Sequence, residues 1–308
     1  MRVATNHANS GPATEALACR RTARLSPAID GFTLIELLVT IAVVGILASI
    51  ILPALGGAKE KGRGVVCLSN LRQVAFALHI YANDHDDELP FNMGADGTRR
   101  TVQEEKYQNW VNNVMTWELD SDNTNTFLLT AGGLGPYLHH GPSVFRCPSD
   151  NVLSRVQRDA GWYHRVRSIS MNAMLGNAGE FLNGTVNTNN PGYQQYFRMS
   201  QVMNPDDIFA FVEEHPDSIN DGYFINRFGS HEWTDLPASY HGSVGNFSFV
   251  DGHAEVHRWR NGQTMAAARP DAAQLPLYVP KGQRADWYWV LYRSTVTRDD
   301  LTSTYVGH

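Results

Sequence analysis

The sequence predicts an α+β protein with one long N-terminal helix whose second half packs on an antiparallel sheet carrying long loops. Three observations support this. Phe32–Leu52 holds a single ionisable side chain, Glu36, among apolar and small residues. From Val65 onward, apolar residues recur at helical spacing. Asn246–Trp259 alternates apolar and polar residues on both sides of an Asp-Gly pair, which is a hairpin signal.

At about 1.5 Å of rise per residue, Gly31–Leu52 forms a helix of roughly 30 Å, enough to cross a bilayer core. A carboxylate inside such a span costs at least ~2.5 kcal/mol, so Glu36 needs a partner or a purpose. Pro53 follows directly and removes a backbone donor, so a kink or break is expected there. Gly56, Gly57, Gly62 and Gly64 each weaken a helix by roughly 1 kcal/mol relative to alanine, which makes this its least stable part. The pattern then returns. Leu68, Leu71, Ala75 and Leu78 share a face flanked by Val74 and Tyr81, with Arg72 and Gln73 outside it. The helix is expected to end near Ala82–Asn83, before the turn residues and proline of N-D-H-D-D-E-L-P.

Between about 90 and 235 the chain is rich in Asn, Gly, Asp and aromatics, with short apolar runs such as Thr126–Thr130. Ile208–Val212 (I-F-A-F-V) suits a buried strand, and Asn183–Gln195 reads as an exposed loop. Around Asp251-Gly252 the hairpin is expected to close through a type I′ turn. Asp286–Tyr292 (D-W-Y-W-V-L-Y) reads as an aromatic strand.

The search for chemistry is mostly negative. G-x-S-x-G, G-x-G-x-x-G, a P-loop and H-E-x-x-H are absent, and no catalytic residue is expected. His241, Asp251 and His253 could form a polar cluster or metal site, but bracing the hairpin explains them more simply. No Cys/His spacing suggests zinc.

G-F-T-L-I-E at Gly31–Glu36 closely resembles the processing site of type IV prepilins and type II secretion pseudopilins. The resemblance implies a pilin-like fold and a precursor cut after Gly31 by a prepilin peptidase, with methylation of the new N-terminal Phe32. The leader would be residues 1–31, the transmembrane and assembly helix 32–55, and the periplasmic or extracellular domain 56–308. The chain would be a single-pass inner-membrane protein and a non-enzymatic subunit of a type IV pilus or type II secretion-like pseudopilus. Its partners would be other pilin-like subunits, in a homo- or hetero-filament, with Glu36 neutralising the cationic Phe32 of a neighbour. Orientation rests on the resemblance. Arg20, Arg21 and Arg24 precede the span while Lys59, Lys61 and Arg63 follow it, so the charges do not orient it.

Further words extend the likeness: C-L-S-N-L-R-Q at Cys67–Gln73, F-R-C-P-S-D at Phe145–Asp150 and S-I-S-M-N at Ser168–Asn172. H-G-S-V-G-N-F-S-F-V-D-G places nine residues between His241 and Asp251-Gly252. Together these resemble the subgroup of pilin-like proteins with a prepilin-type processing-associated H-X9-DG domain, here at 241–252.

The 308-residue chain carries a net charge of −6, and removing a leader with two excess positive charges leaves −8. That balance argues against nucleic-acid binding, which needs clustered Lys and Arg. Cys19 would leave with the leader. Cys67 and Cys147 could then form a disulfide worth roughly 4–5 kcal/mol, or remain two buried thiols. Calcium is the one cofactor worth weighing, because major pseudopilins often bind it. The weak candidates are Asp84, Asp86, Asp87, Asp120 and Asp122, none with full calcium-loop spacing, and solvated acidic turns explain them more simply. A second functional reading is a membrane-anchored binding module for a ligand such as a polysaccharide, using Trp110, Trp117, Trp162 and Trp233 in loop-like sequence.

Overall fold

The computed structural model describes residues 31–139, 141–270, 272 and 274–299, with Pro53 and Ala54 as backbone only. The expected leader, apart from Gly31, lies outside these residues. The chain divides into two units, Met1–Leu52 and Pro53–His308.

Helix α1 spans Leu34–Asp84 and contains both the apolar and the amphipathic segments. The helix runs without interruption through Pro53, which itself has no N–H to donate, and the four glycines, so the expected break is not seen. In the second unit α1 buries Leu71, Val74, Ala75 and Leu78 of the stripe the spacing predicts, together with Ala77, while Leu68 and Tyr81 are half-buried.

The sheet has five strands: β1 (Ile169–Asn172), β2 (Phe209–Glu213), β3 (Tyr223–Phe224), β4 (Val244–Phe249) and β5 (Ala254–Arg258). Their order is β3-β1-β2-β4-β5. All neighbours pair antiparallel except β1 and β3, which are parallel, so the sheet is mixed at one edge. Two apolar cores lie on its faces. One joins α1 to Trp110, Phe145, Met171 and Phe211; the other joins Phe209, Val212, Phe247 and Phe249 to Trp233, Trp259 and Trp287. A register shift in β2 between Phe209 and Phe211 turns Ala210 and Phe211 to the same core, before alternation resumes at Val212.

Three local expectations are corrected. Asp286–Tyr292 is not a strand but most of a helix, α2 (Ala285–Tyr292). Its Trp287, Val290 and Leu291 recur at helical spacing and enter the second core, which outweighs aromatic strand propensity. Asp286 accepts backbone hydrogen bonds from Arg260 and Asn261, fixing the start of α2 beside the end of β5. The β4–β5 connection is a four-residue loop, Val250–His253, in which Gly252 has φ +93° and Asp251 does not share the positive φ that a type I′ turn needs. Asn183–Gln195 is only partly loop, since Leu182–Asn183 pairs with Val186–Asn187. Asn187 and Gln195 are buried there and hydrogen-bonded to each other at 2.8 Å.

Candidate functional site

Two places answer to the residues singled out in the sequence, one in each unit. In the first unit, Gly31, Phe32 and Thr33 precede the helix, and an ideal Cβ on Gly31 would meet nothing within 4 Å. Phe32 is 71 % exposed. Thr33 and Glu36 cap each other. The Thr33 hydroxyl and backbone N–H donate to Glu36 Oε2 at 2.7 and 2.9 Å, and the Glu36 N–H donates back to Thr33 Oγ1 at 3.2 Å. This is a capping box, and T-x-x-E was its overlooked signature in the sequence. Beyond it every side chain to Leu52 is exposed except that of Ala48, which is half-buried. The helix is long and apolar enough to cross a membrane, with a mean hydropathy of 2.7 over its most apolar stretch.

In the second unit, the nine-residue spacing from His241 to Asp251 acquires a geometric meaning. A Cβ added to Gly64 would lie 3.2 Å from His241 Cγ, and one added to Gly252 would lie 3.3 Å from Phe76. The two ends of the motif therefore seat on α1 twelve residues apart, about 18 Å at helical rise. The intervening strand β4 is about 20 Å long. The spacing thus matches a strand to a stretch of helix, with glycine at both points of close approach.

His241 does not join Asp251 and His253. Asp251 Oδ1 accepts from the His253 N–H at 2.9 Å and lies 2.6 Å from its Nδ1, while the His253 ring stacks on Phe249. His241 turns the other way, out of a run in which His241, Gly242 and Ser243 have φ of 58, 86 and 68°. L side chains seldom adopt that conformation, and it survives only where the surroundings enforce it.

His241 Nδ1 lies 3.1 Å from Glu60 Oε1, and its Nε2 lies 3.2 Å from Cys147 Sγ. Cys67 Sγ is 2.7 Å from Cys147 Sγ, and both cysteines are free thiols in this structure. Glu213, at the end of β2, brings Oε1 to 3.7 Å from His241 Nε2. That is too long for a hydrogen bond, and neither Glu213 oxygen has a hydrogen-bond partner. The words of the resemblance converge here. Asn70 donates to the Arg146 carbonyl, and the Cys147 N–H donates to Ser168 Oγ, whose hydroxyl donates to Asp150. The Ser149 hydroxyl donates to Glu60.

Burial opposes the imidazolium of His241, but the Cys147 sulfur and the Glu213 carboxylate outweigh it and push its pKa up to about 10. The Cys67 thiol is pushed up by its hydrogen bond to Cys147, by burial and by Glu213. Although partial burial works against it, Glu60 is held below its usual range by Ser149, His241 and Arg63. Glu60 and Glu213 were missed in the sequence. Glu60 gave no signal, whereas Glu213 did, as a charged residue continuing a buried apolar strand.

The remaining candidates disperse. Asp87 accepts from the backbone N–H and hydroxyl of Ser200, Asp120 from Thr116, and Asp122 from the Val114 N–H. Asp84 accepts from Asn83, and Asp86 is exposed. None of these acids belongs to the metal-competent group found among the described residues, which is Cys67, Cys147, Glu213 and His241. Trp110 and Trp233 are fully buried in different cores, and Trp117 lies beneath the Arg165 guanidinium at 4.0 Å, so these tryptophans form no shared aromatic face.

Comparison with known proteins agrees with the first of these places. The family described as "Prokaryotic N-terminal methylation motif" matches residues 28–52. The type II secretion system core protein G of Pectobacterium carotovorum subsp. carotovorum is 36 % identical over 77 residues, 24 % of this chain and 49 % of that protein. Its counterpart in Escherichia coli (strain K12) is 36 % identical over 66 residues, 21 % of this chain and 46 % of that protein. The Aeromonas hydrophila counterpart is 38 % identical over 67 residues, 22 % of this chain and 47 % of that protein. The chain thus spans about half the length of the curated relatives it matches. No solved structure matches. The fold is α+β, and the methylation motif, the long apolar N-terminal helix and the antiparallel-rich sheet domain are consistent with a pilin-like protein.

Proposed function

We propose that the chain is the precursor of a structural subunit of a type II secretion-like pseudopilus or type IV pilus, cut after Gly31 by a prepilin peptidase and N-methylated at Phe32. The observation that carries this reading is the juxtaposition of an exposed Gly31–Phe32 pair with a helical stretch to Leu52 whose large apolar side chains lie exposed. The curated relatives are named as secretion-system core proteins, which supports a structural rather than an enzymatic role. In this reading the helix from Phe32 holds the precursor in the inner membrane, with the second unit in the periplasm. The same helix later packs against those of other pilin-like subunits.

Glu36 then has two roles in sequence. It caps its own helix through Thr33, and on assembly it offsets the ammonium of a neighbouring Phe32, since opposite charges in a low dielectric are tolerable only together. Two variants separate these roles. Glu36→Ala is expected to abolish filament assembly while leaving the precursor in the membrane. Thr33→Val, which removes the cap but keeps the carboxylate, is expected to retain most assembly. Normal filaments from Glu36→Ala, seen by electron microscopy or shear fractionation, would refute the assembly role.

A further inference from the structure

Cys67, Cys147, Glu213 and His241 come from α1, the loop after Gly141–Phe145, the end of β2 and the turn before β4. One donor atom from each lies within 4.8 Å of all the others. Cys67, Cys147 and Glu213 are each 1 % exposed, and the His241 side chain is 3 % exposed. Glu213 is the informative member. Neither oxygen of this buried carboxylate accepts a hydrogen bond and its cationic neighbour His241 stands off at 3.7 Å, so an ion seated directly on the carboxylate would compensate it far more fully.

A second observation concerns the far side of the imidazole. Glu60 takes His241 Nδ1 at 3.1 Å and is itself held by the Ser149 hydroxyl. With Nδ1 directed at a carboxylate, Nε2 is the nitrogen that faces the sulfurs, and once deprotonated it offers them its lone-pair side. That is the outer-shell arrangement by which proteins orient a metal-binding histidine.

We propose that these four residues bind one zinc ion, with Glu60 as the positioning residue for His241. The donor chemistry selects the metal. Two thiolates, one imidazole and one carboxylate suit borderline-soft zinc, whereas calcium and magnesium take oxygen donors. Tetrahedral zinc, with bonds of about 2.0–2.3 Å, sets its donors roughly 3.3–3.8 Å apart. The separation of 3.7 Å (His241 Nε2 to Glu213 Oε1) falls within that spacing and that of 3.2 Å (Cys147 Sγ to His241 Nε2) just short of it. The sulfurs, at 2.7 Å, would part by about 1 Å. Binding displaces to solvent the two thiol protons and the Nε2 proton of the His241 imidazolium, with no change of oxidation state. The ion would tie α1 to the sheet and to the loop that carries Cys147, four segments far apart in sequence. The competing use of the same sulfurs is a disulfide, which would leave Glu213 without a metal.

The test uses the full chain, purified in detergent, reduced and stripped of metal. Zinc is titrated in competition with a chromophoric chelator, and cobalt(II) serves as the optical probe. The expected result is one zinc per chain with a Kd below micromolar, and a cobalt spectrum with a thiolate charge-transfer band and tetrahedral visible bands. Glu213→Gln preserves volume and is expected to weaken zinc at least about tenfold. Glu60→Gln leaves all four ligands and is expected to weaken it about tenfold through its hold on His241. Circular dichroism on both variants confirms that they fold. The proposal is overturned if the reduced chain takes up no zinc, if cobalt shows no thiolate band, or if Glu213→Gln binds as tightly as the parent. A chain isolated two hydrogens lighter, which after reduction still binds no zinc, assigns the sulfurs to a disulfide and also overturns it.

Discussion

Between Phe32 and Leu52 the apolar side chains of α1 lie exposed all round the helix, whereas between Cys67 and Ala82 one face of it is buried and the other is not. The buried face comprises Cys67, Leu71, Val74, Ala75, Ala77, Leu78 and Ala82; Arg72, Phe76 and Ile80 stay exposed. The composition of the two stretches explains the difference. The first has no polar face to turn toward water and nothing to direct a single stripe inward. Each of its Leu, Ile and Val side chains would gain about 1.5–3 kcal/mol on leaving water. Such a helix is stable only in apolar surroundings, lipid or other helices, whereas the second stretch finds its surroundings in its own domain.

The contrast can be broken by substitution. Leu71→Ala, fully buried beneath the sheet, is expected to lower the unfolding free energy of the second unit by about 2–5 kcal/mol. Leu47→Ala, the same truncation in the exposed stretch, should leave that value unchanged in denaturant titrations followed by tryptophan fluorescence. Equal effects from the two would mean that both halves are buried alike.

A smaller effect concerns a carboxyl held in the sheet domain. Burial pushes the Asp221 carboxyl up to about 6, against the pull of the Tyr223 N–H and Arg167. The folded state therefore keeps this proton longer than the unfolded chain, where the carboxyl titrates near its ordinary 3.8. The stabilisation is complete below that value and is lost as pH rises toward about 6. A shift of this size corresponds to about 3 kcal/mol at neutral pH. Asp221→Asn is expected to match the parent near pH 4 and to exceed its stability at pH 7 by an amount of that order. Parallel stability curves for the two proteins would contradict this.

Gly252→Ala gives a smaller change still. At φ +93°, with Phe76 3.3 Å from the added methyl group, it should cost about 1–2 kcal/mol. Double-mutant analysis with Phe76→Ala, read by thermal melts, should show coupling, because Phe76 is the side chain that the added methyl group would meet.

What was legible in the sequence follows the range of the interactions. The membrane-length segment, the stripe on α1, the strand expected at Ile208–Val212 and found at Phe209–Glu213, and the hairpin are patterns written in neighbouring residues. The aromatic run at Asp286–Tyr292 was misread because its composition favours strand, although Trp287, Val290 and Leu291 already carried the helical period. The Cys67–Cys147–Glu213–His241 cluster was half legible. Its cysteines and histidine stood out singly, but Asp251 and His253 seemed the natural partners of His241 because they are near in sequence. The actual partners are set by which face of β2 carries Glu213 and by Gly64 opening α1 to an imidazole ring, and no local pattern records either.

The central claim is that Phe32 begins the mature helix. Intact-mass and N-terminal peptide analysis of the chain from a host with an active prepilin peptidase tests it directly. The account predicts a mature protein starting at N-methylated Phe32, and accumulation of the uncut precursor when the peptidase is absent. A membrane-embedded chain that keeps Met1 in the presence of the peptidase, or that starts at any residue other than Phe32, would contradict it.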